Sequence, residues 1–276
     1  MKTISAVATA MILLAAPAPA GAWGRTGHRV IATLAQSRLN AKARQQVQML
    51  LGTSDLASVA LWADEIRGAR PETYNWHFVD IPKNKTTYDA MRDCAPTPMG
   101  DCVIAEIARA RAVLADKNAA HDDRAEAMRF LIHFYGDMHQ PLHCADNMDR
   151  GGNGVVVTWF GQTDSSPATA DRPATKWNLH SVWDFGIIDR VGQSEAQWVA
   201  SLRHALSAGT ITVPAGGTPI AWAQSAHTLA VSYAYNTPAS LDLGQPYQTR
   251  NLPIVRRQLA RAAVRLANAL NELIGT

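Results

Sequence analysis

The stretch that decides the fold is Phe130-Leu131-Ile132-His133-Phe134-Tyr135-Gly136-Asp137-Met138-His139-Gln140-Pro141-Leu142-His143. It closes a stretch that reads as a helix over about 121–139. Pro141 must bend or end that helix, because its ring removes an amide donor. Within the run His133 and Asp137 are four residues apart, which places both on one helix face. His139 falls about 240° round from His133, by helix geometry, and is left off that face.

Working outward, the same spacing recurs in Asn178-Leu179-His180-Ser181-Val182-Trp183-Asp184, where His180 and Asp184 pair. A lone His–Asp pair is commonly a surface contact. Two such pairs, with His143 just beyond the Pro141 bend, point to metal binding. Earlier in the chain Trp62-Ala63-Asp64-Glu65-Ile66-Arg67 offers acids on a helix, and Trp76-His77-Phe78-Val79-Asp80 offers a His and an Asp in an extended stretch. Imidazole and carboxylate ligands without free thiolates suit zinc. The number of candidates exceeds what one four-coordinate ion needs, and a carboxylate can bridge two ions in a site that hydrolyses phosphodiesters.

Apolar spacing predicts helices over about 26–39, 41–51, 53–67, 101–116, 121–139, 176–189, 195–208, 219–235 and 252–273. Gly52 suits a helix end, and Thr53 or Ser54 suits the next cap. Residues 74–81 and 155–160 read as extended, 83–100 and 161–175 as loops. The fold class is therefore mainly α, with one short β-hairpin or strand segment. No internal repeat or linker divides residues 23–276, which read as one catalytic domain.

The 276 residues carry 47% hydrophobic and 18% charged side chains with a formal net charge of +3. That excludes a disordered chain. With basic residues dispersed, it also excludes a concentrated polybasic face for duplex nucleic acid or anionic membrane. Residues 1–22 read as a cleaved secretory signal: Lys2, a short apolar stretch through Met11-Ile12-Leu13-Leu14, and the small residues Ala20-Gly21-Ala22. The stretch is too short to span a bilayer, and no later segment is an apolar span. Cleavage makes Trp23 the N-terminus of a secreted or periplasmic chain. There, Cys94 and Cys102 can close a small disulfide loop, with two buried thiols as the alternative. Cys144 is left as a small core residue or, less readily, a metal ligand.

Together these motifs resemble the zinc-dependent single-strand-specific nucleases of the S1/P1 type, which share a fold with bacterial zinc phospholipases C. The resemblance covers essentially the whole chain after residue 22. It rests on Trp23-Gly24 with His28, Trp62-Ala63-Asp64-Glu65, His77-Phe78-Val79-Asp80, the 130–143 stretch, Gly151-Gly152-Asn153 and the 178–184 stretch. It implies three zinc ions. Asp64, His77, His133 and Asp137 would hold the first. Asp137 would bridge to the second, completed by His28 and the main-chain amine and carbonyl of Trp23. His143, His180 and Asp184 would hold the third.

It further implies a monomeric endonuclease and 3′-nucleotidase that cleaves P–O3′ bonds of single-stranded DNA and RNA to leave 5′-phosphates, with no stable protein partner. Asp80 would orient the attacking water, and Arg67 would either position Asp80 or clamp a phosphate oxygen. Phe78 would stack on a base, Asn153 would contact one, and Lys83 would reach phosphate. Stacking needs unpaired bases, which accounts for single-strand preference without strong positive charge. A zinc-dependent phospholipase C is the alternative. That branch ends its last ligand pair in Glu, so Asp184 favours the nuclease. The 162–176 loop is longer than in fungal relatives, and the chain has too few cysteines for a second disulfide.

Overall fold

In a computed structural model, residues 23–52, 55–169 and 172–276 are described. The signal segment 1–22 and the proposed cap at Thr53 or Ser54 lie outside them. Helix α1 (Gly24–Gln36) is followed by α2 (Ala41–Leu51), capped by the Asn40 side chain, which accepts the Ala43 amide. The helix expected over 53–67 is shorter: turns lead into α3 (Trp62–Ile66). The chain then enters a 3₁₀ helix (Pro71–His77), and the 83–100 loop contains the single turn α4 (Ala90–Asp93).

Helix α5 (Val103–Ala115) packs along α6 (His121–Asp137), which is buried at every position from Phe130 to Asp137. Helices α1, α2 and α3 and the C-terminal helix (Gln245–Ile274) also contact α6, which explains why its last two turns, from Phe130 to Asp137, have no exposed face. Past β1 (Thr158–Trp159), the loop expected over 161–175 contributes to an antiparallel pair, β2 (Asp164–Ser166) with β3 (Thr175–Lys176). Lys176 Nζ reaches Asp164 Oδ1 at 2.8 Å across that pair.

Helix α7 (Leu179–Ser181) continues through a π-helical turn (Val182–Gly186) into α8 (Ile187–Asp189). Asp184 sits in that widened turn, a feature frequent at functional sites. Helices α9 (Glu195–Ser207) and α10 (Pro219–Leu229) follow, the latter extended by a second π-helical turn (Ala230–Ala234). Strand β4 (Asp242–Leu243) pairs in parallel with β1, and α11 (Gln245–Ile274) closes the chain. The extended segment predicted over 155–160 thus shrinks to two residues, and the strands form two small sheets.

Two differences have clear physical causes. The 74–81 stretch is rich in aromatic residues, yet Pro71 starts a 3₁₀ helix whose Asn75 amide donates to Met99 O at 2.8 Å. Only from Phe78 is the backbone extended. Helix α11 begins seven residues before the predicted start at 252, despite Pro253 inside it. Tertiary bonds hold its first turns: Tyr247 takes the Trp183 indole N–H and donates to Ala234 O, and Gln248 donates to Ile187 O.

Candidate metal centre

Five separated segments converge at the C-terminal end of α6. Asp137, fully buried, is the hub. Its Oδ2 lies 2.9 Å from His77 Nδ1 and 3.3 Å from His133 Nε2, and its Oδ1 lies 3.3 Å from His28 Nε2. Asp64, at the start of α3, lies 3.6 Å from His77 Nδ1 and 3.7 Å from His133 Nε2. The rings of His28 and His133 stack with centroids 4.0 Å apart. Gly136 allows it, because a Cβ there would stand 2.8 Å from His28 Nδ1.

A second constellation lies beyond Pro141. His180 Nε2 is 3.4 Å from Asp184 Oδ2, and His143 Nε2 is 3.8 Å from Asp184 Oδ1. Gln140 donates to Asp184 Oδ1 at 2.6 Å, and the Trp23 backbone N–H also bonds this carboxylate. The Trp23 indole donates to Gly136 O at 2.8 Å. The three side-chain groupings are His28 with His133 and Asp137, Asp64 with His77 and His133, and His143 with His180 and Asp184. In each, the possible ligand atoms lie within 4.8 Å of one another.

The donor set fits cations. His133 Nδ1 lies 2.7 Å from Ala60 O, His143 Nδ1 2.7 Å from His77 O, and His180 Nδ1 2.7 Å from Gly151 O. A carbonyl carries no proton, so each Nδ1 donates and each ring turns its Nε2 into the site. This is the outer support that orients metal-binding imidazoles. His143 Nε2 and His180 Nε2 consequently face each other at 3.0 Å, two acceptors with no proton between them. His28 Nε2, His133 Nε2, Asp64 Oδ1, Asp137 Oδ1 and Asp184 Oδ2 are buried without a hydrogen-bond partner. Buried polar atoms are rarely left so, and a divalent cation in each group would satisfy them.

Burial holds His28 and His77 below the ordinary imidazole value, His143 well below it and His180 down to about 4, which favours the neutral form able to ligate a metal. Burial also opposes charge on His133 and Asp137, but their mutual attraction wins. His133 rises to about 9, and Asp137, which also bonds His28 and His77, falls well below the carboxylate range. Asp184 is pushed well above that range by burial, against the bond from Gln140.

Main-chain bonds tie the groups together. Val79 N donates to His143 O at 2.8 Å, Asp146 N to Ile81 O at 3.0 Å and Lys83 N to Asp146 O at 2.7 Å. The segment carrying His77 is thereby laced to the segment carrying His143. Gly151 must lack a side chain, since its φ is 60° and a Cβ would stand 2.4 Å from Leu142 O.

A cleft of about 320 Å³ opens over the centre, lined by Arg67, Tyr74, His77, Phe78, Asp80, Leu142, His143, Arg150, Gly151, Asn153, Asn178 and His180. Phe78 meets Tyr74 edge-on, centroids 6.3 Å apart. Asn153 is half-buried and its amide donates to Arg150 O at 2.9 Å. Burial first, then the charges of Asp146, Asp93 and Asp149, lift the Asp80 carboxyl to about 7. The side chain stays open to solvent, which screens those charges.

Arg67 pairs with Asp64 at 3.6 Å and lies over the Tyr74 ring at 4.4 Å. No bond joins it to Asp80 among the described residues, so phosphate clamping is the role its position favours. Lys83 Nζ lies 5.0 Å over the Tyr235 ring, and the residue is not among those that line the cleft. His139 faces away, accepting from Arg265 at 2.7 Å. Cys94 and Cys102 are joined, and Cys144 is buried and free. Sequence reasoning missed Tyr74, Gln140 and Arg150, which carry no periodic signal.

The family described as S1/P1 Nuclease matches residues 23–275. The chain is 32% identical to nuclease P1 of Penicillium citrinum over 283 residues, covering 92% of this chain and 98% of that protein. It is 31% identical to endonuclease 2 of Arabidopsis thaliana over 307 residues, covering 100% of this chain and 98% of that protein. It is 28% identical to nuclease S1 of Aspergillus oryzae over 274 residues, covering 89% of each.

Proposed function

The chain belongs to the S1/P1 nuclease family, and from that premise we propose that it is a zinc-dependent, single-strand-specific endonuclease with 3′-nucleotidase activity. The observation that carries the reading is the set of imidazoles locked by carbonyls with their Nε2 lone pairs turned towards buried carboxylates. Asp64, His77, His133 and Asp137 would hold one zinc, and Asp137 would share a second with His28 and the amine and carbonyl of Trp23. His143, His180 and Asp184 would hold a third. Bound zinc supplies Lewis acidity towards phosphoryl oxygens and lowers the pKa of water.

The rest of the chemistry belongs to the chain. Asp80, whose carboxyl is raised to about 7 and open to solvent, orients the attacking water and accepts its hydrogen bond. Arg67 is braced by Asp64 and Tyr74 and presents a planar donor fork to a phosphate oxygen. Phe78 and Tyr74 form an aromatic wall on which an unpaired base stacks, and Asn153 in the same cleft contacts it. Cleavage at P–O3′ leaves 5′-phosphates.

The signal reading of 1–22, a single catalytic domain over 23–276 and a secreted or periplasmic monomer complete the proposal. A disulfide at Cys94–Cys102 supports an oxidising compartment, and no described helix is long and apolar enough to cross a membrane.

The test incubates the zinc-loaded protein, cleaved before Trp23, with single-stranded DNA, RNA, a 3′-nucleotide and phosphatidylcholine, with and without chelator. Chelator-sensitive release of 5′-nucleotides and of 3′-phosphate is expected, with lipid untouched. Lipid hydrolysis without nucleic-acid cleavage would overturn the substrate assignment and keep the metal centre.

A further inference from the structure

The loop between His143 and the Gly151-Gly152 turn holds a side chain, that of Arg150, which the packing of the loop does not call for. Arg150 adopts φ 58°, in the left-handed region, although it is not glycine. The loop imposes this. Asp146 Oδ1 accepts the amides of Asp149 and Gly151, Asp149 Oδ1 accepts that of Gly152, and Asp149 O accepts that of Gly154. Gly151 and Gly152 beside it share the positive φ at no steric cost. A glycine at 150 would satisfy the same backbone, and strained non-glycine backbone concentrates where a side chain has work to do.

The Arg150 side chain lines the cleft yet is exposed, and no ion pair or side-chain hydrogen bond engages it among the described residues. Arg67, the other arginine of the cleft, is by contrast braced beside Asp64 at the metal centre. Two cations at different depths, one fixed and one free, match a strand that offers several phosphates.

We propose that Arg150 is a specificity-determining residue that clamps a phosphate next to the scissile one, so that it favours oligonucleotides over substrates with a single phosphate. This rests on the nuclease reading above. A flexible, unpaired guanidinium at the rim can follow a neighbouring phosphate, whereas a mononucleotide or a dinucleoside monophosphate offers it nothing.

The experiment compares the zinc-loaded wild type with Arg150→Gly and Arg150→Lys on a single-stranded oligonucleotide and on a dinucleoside monophosphate, from 50 to 200 mM salt. Arg150→Gly removes the side chain while easing the backbone, so the thermal midpoint does not fall. On the oligonucleotide its KM rises several-fold with kcat little changed. One lost single-strand phosphate contact lowers the slope of log kcat/KM against log salt by about 0.7, so the advantage of wild type over variant shrinks about 2.5-fold across that range. Arg150→Lys restores the slope, and the dinucleoside monophosphate shows neither effect. Equal losses on both substrates, or an unchanged salt slope, would overturn the assignment. Absence of chelator-sensitive turnover by the wild type on either substrate would instead refute the nuclease reading itself.

Discussion

Replacing Asp137 by Asn keeps its shape and removes one charge from the point where three imidazoles meet. The carboxylate lies 2.9 Å from His77, 3.3 Å from His133 and 3.3 Å from His28. Without metal, breaking a buried charge pair of this kind costs about 3–5 kcal/mol. With metal the loss is larger, because the two oxygens face different groupings. Residues that merely support a ligand are worth roughly 10–100-fold in metal affinity. A ligand shared by two sites should therefore cost at least about 100-fold at each, on the order of 10⁴ for the pair. Bound zinc counted after gel filtration should fall by one to two ions per chain, with kcat/KM down by more than about 1,000-fold. Asp184→Asn, confined to the third grouping, should lose one ion. Circular dichroism of both metal-free variants checks that the helices remain. An Asp137→Asn protein with full zinc content and most of its activity would refute the bridging role.

Phe78→Ala should raise KM on oligonucleotides while zinc content stays constant, since a stacked base is worth about 1–3 kcal/mol; zinc loss with unchanged KM would show that the ring only packs. Folding raises the Asp80 carboxyl from 3.8 to about 7. The folded chain thus binds more protons than the unfolded one across that window, and this group's effect is falling stability as pH rises through it. In chelator-treated protein, Asp80→Asn should flatten the difference in thermal midpoint between pH 4.5 and 7.5, and an identical profile would refute the shift. Replacing both Cys94 and Cys102 by Ser frees a short loop worth about 2.5 kcal/mol by chain entropy, which should lower the midpoint by roughly 5–10 °C at this chain length; no change would show the bond to be idle.

The His133–Asp137 and His180–Asp184 pairs were legible because helical spacing alone aligns them, and the π-helical turn at Asp184 leaves the contact at 3.4 Å. Asp64 and His77 were legible only through resemblance. Their neighbours come from α6, more than fifty residues away, and no local period encodes that. The 74–81 stretch misled for a related reason: the bond that bends it comes from Met99, across a loop. Sequence does not show the Tyr235 ring beneath Lys83. Tyr74 and Arg150 reach the cleft by tertiary placement, which composition does not record.

The lacing of Val79 to His143, Ile81 to Asp146 and Lys83 to Asp146 runs through main-chain atoms only. It makes the separation of the metal groupings a property of peptide geometry rather than of particular side chains. The gauge against which a phosphodiester is measured then does not depend on which side chains surround it. The β2–β3 pair, Asp164–Ser166 with Thr175–Lys176, lies outside the gauge. A lineage can therefore rebuild the rim, and with it the choice of substrate, without recalibrating the chemistry.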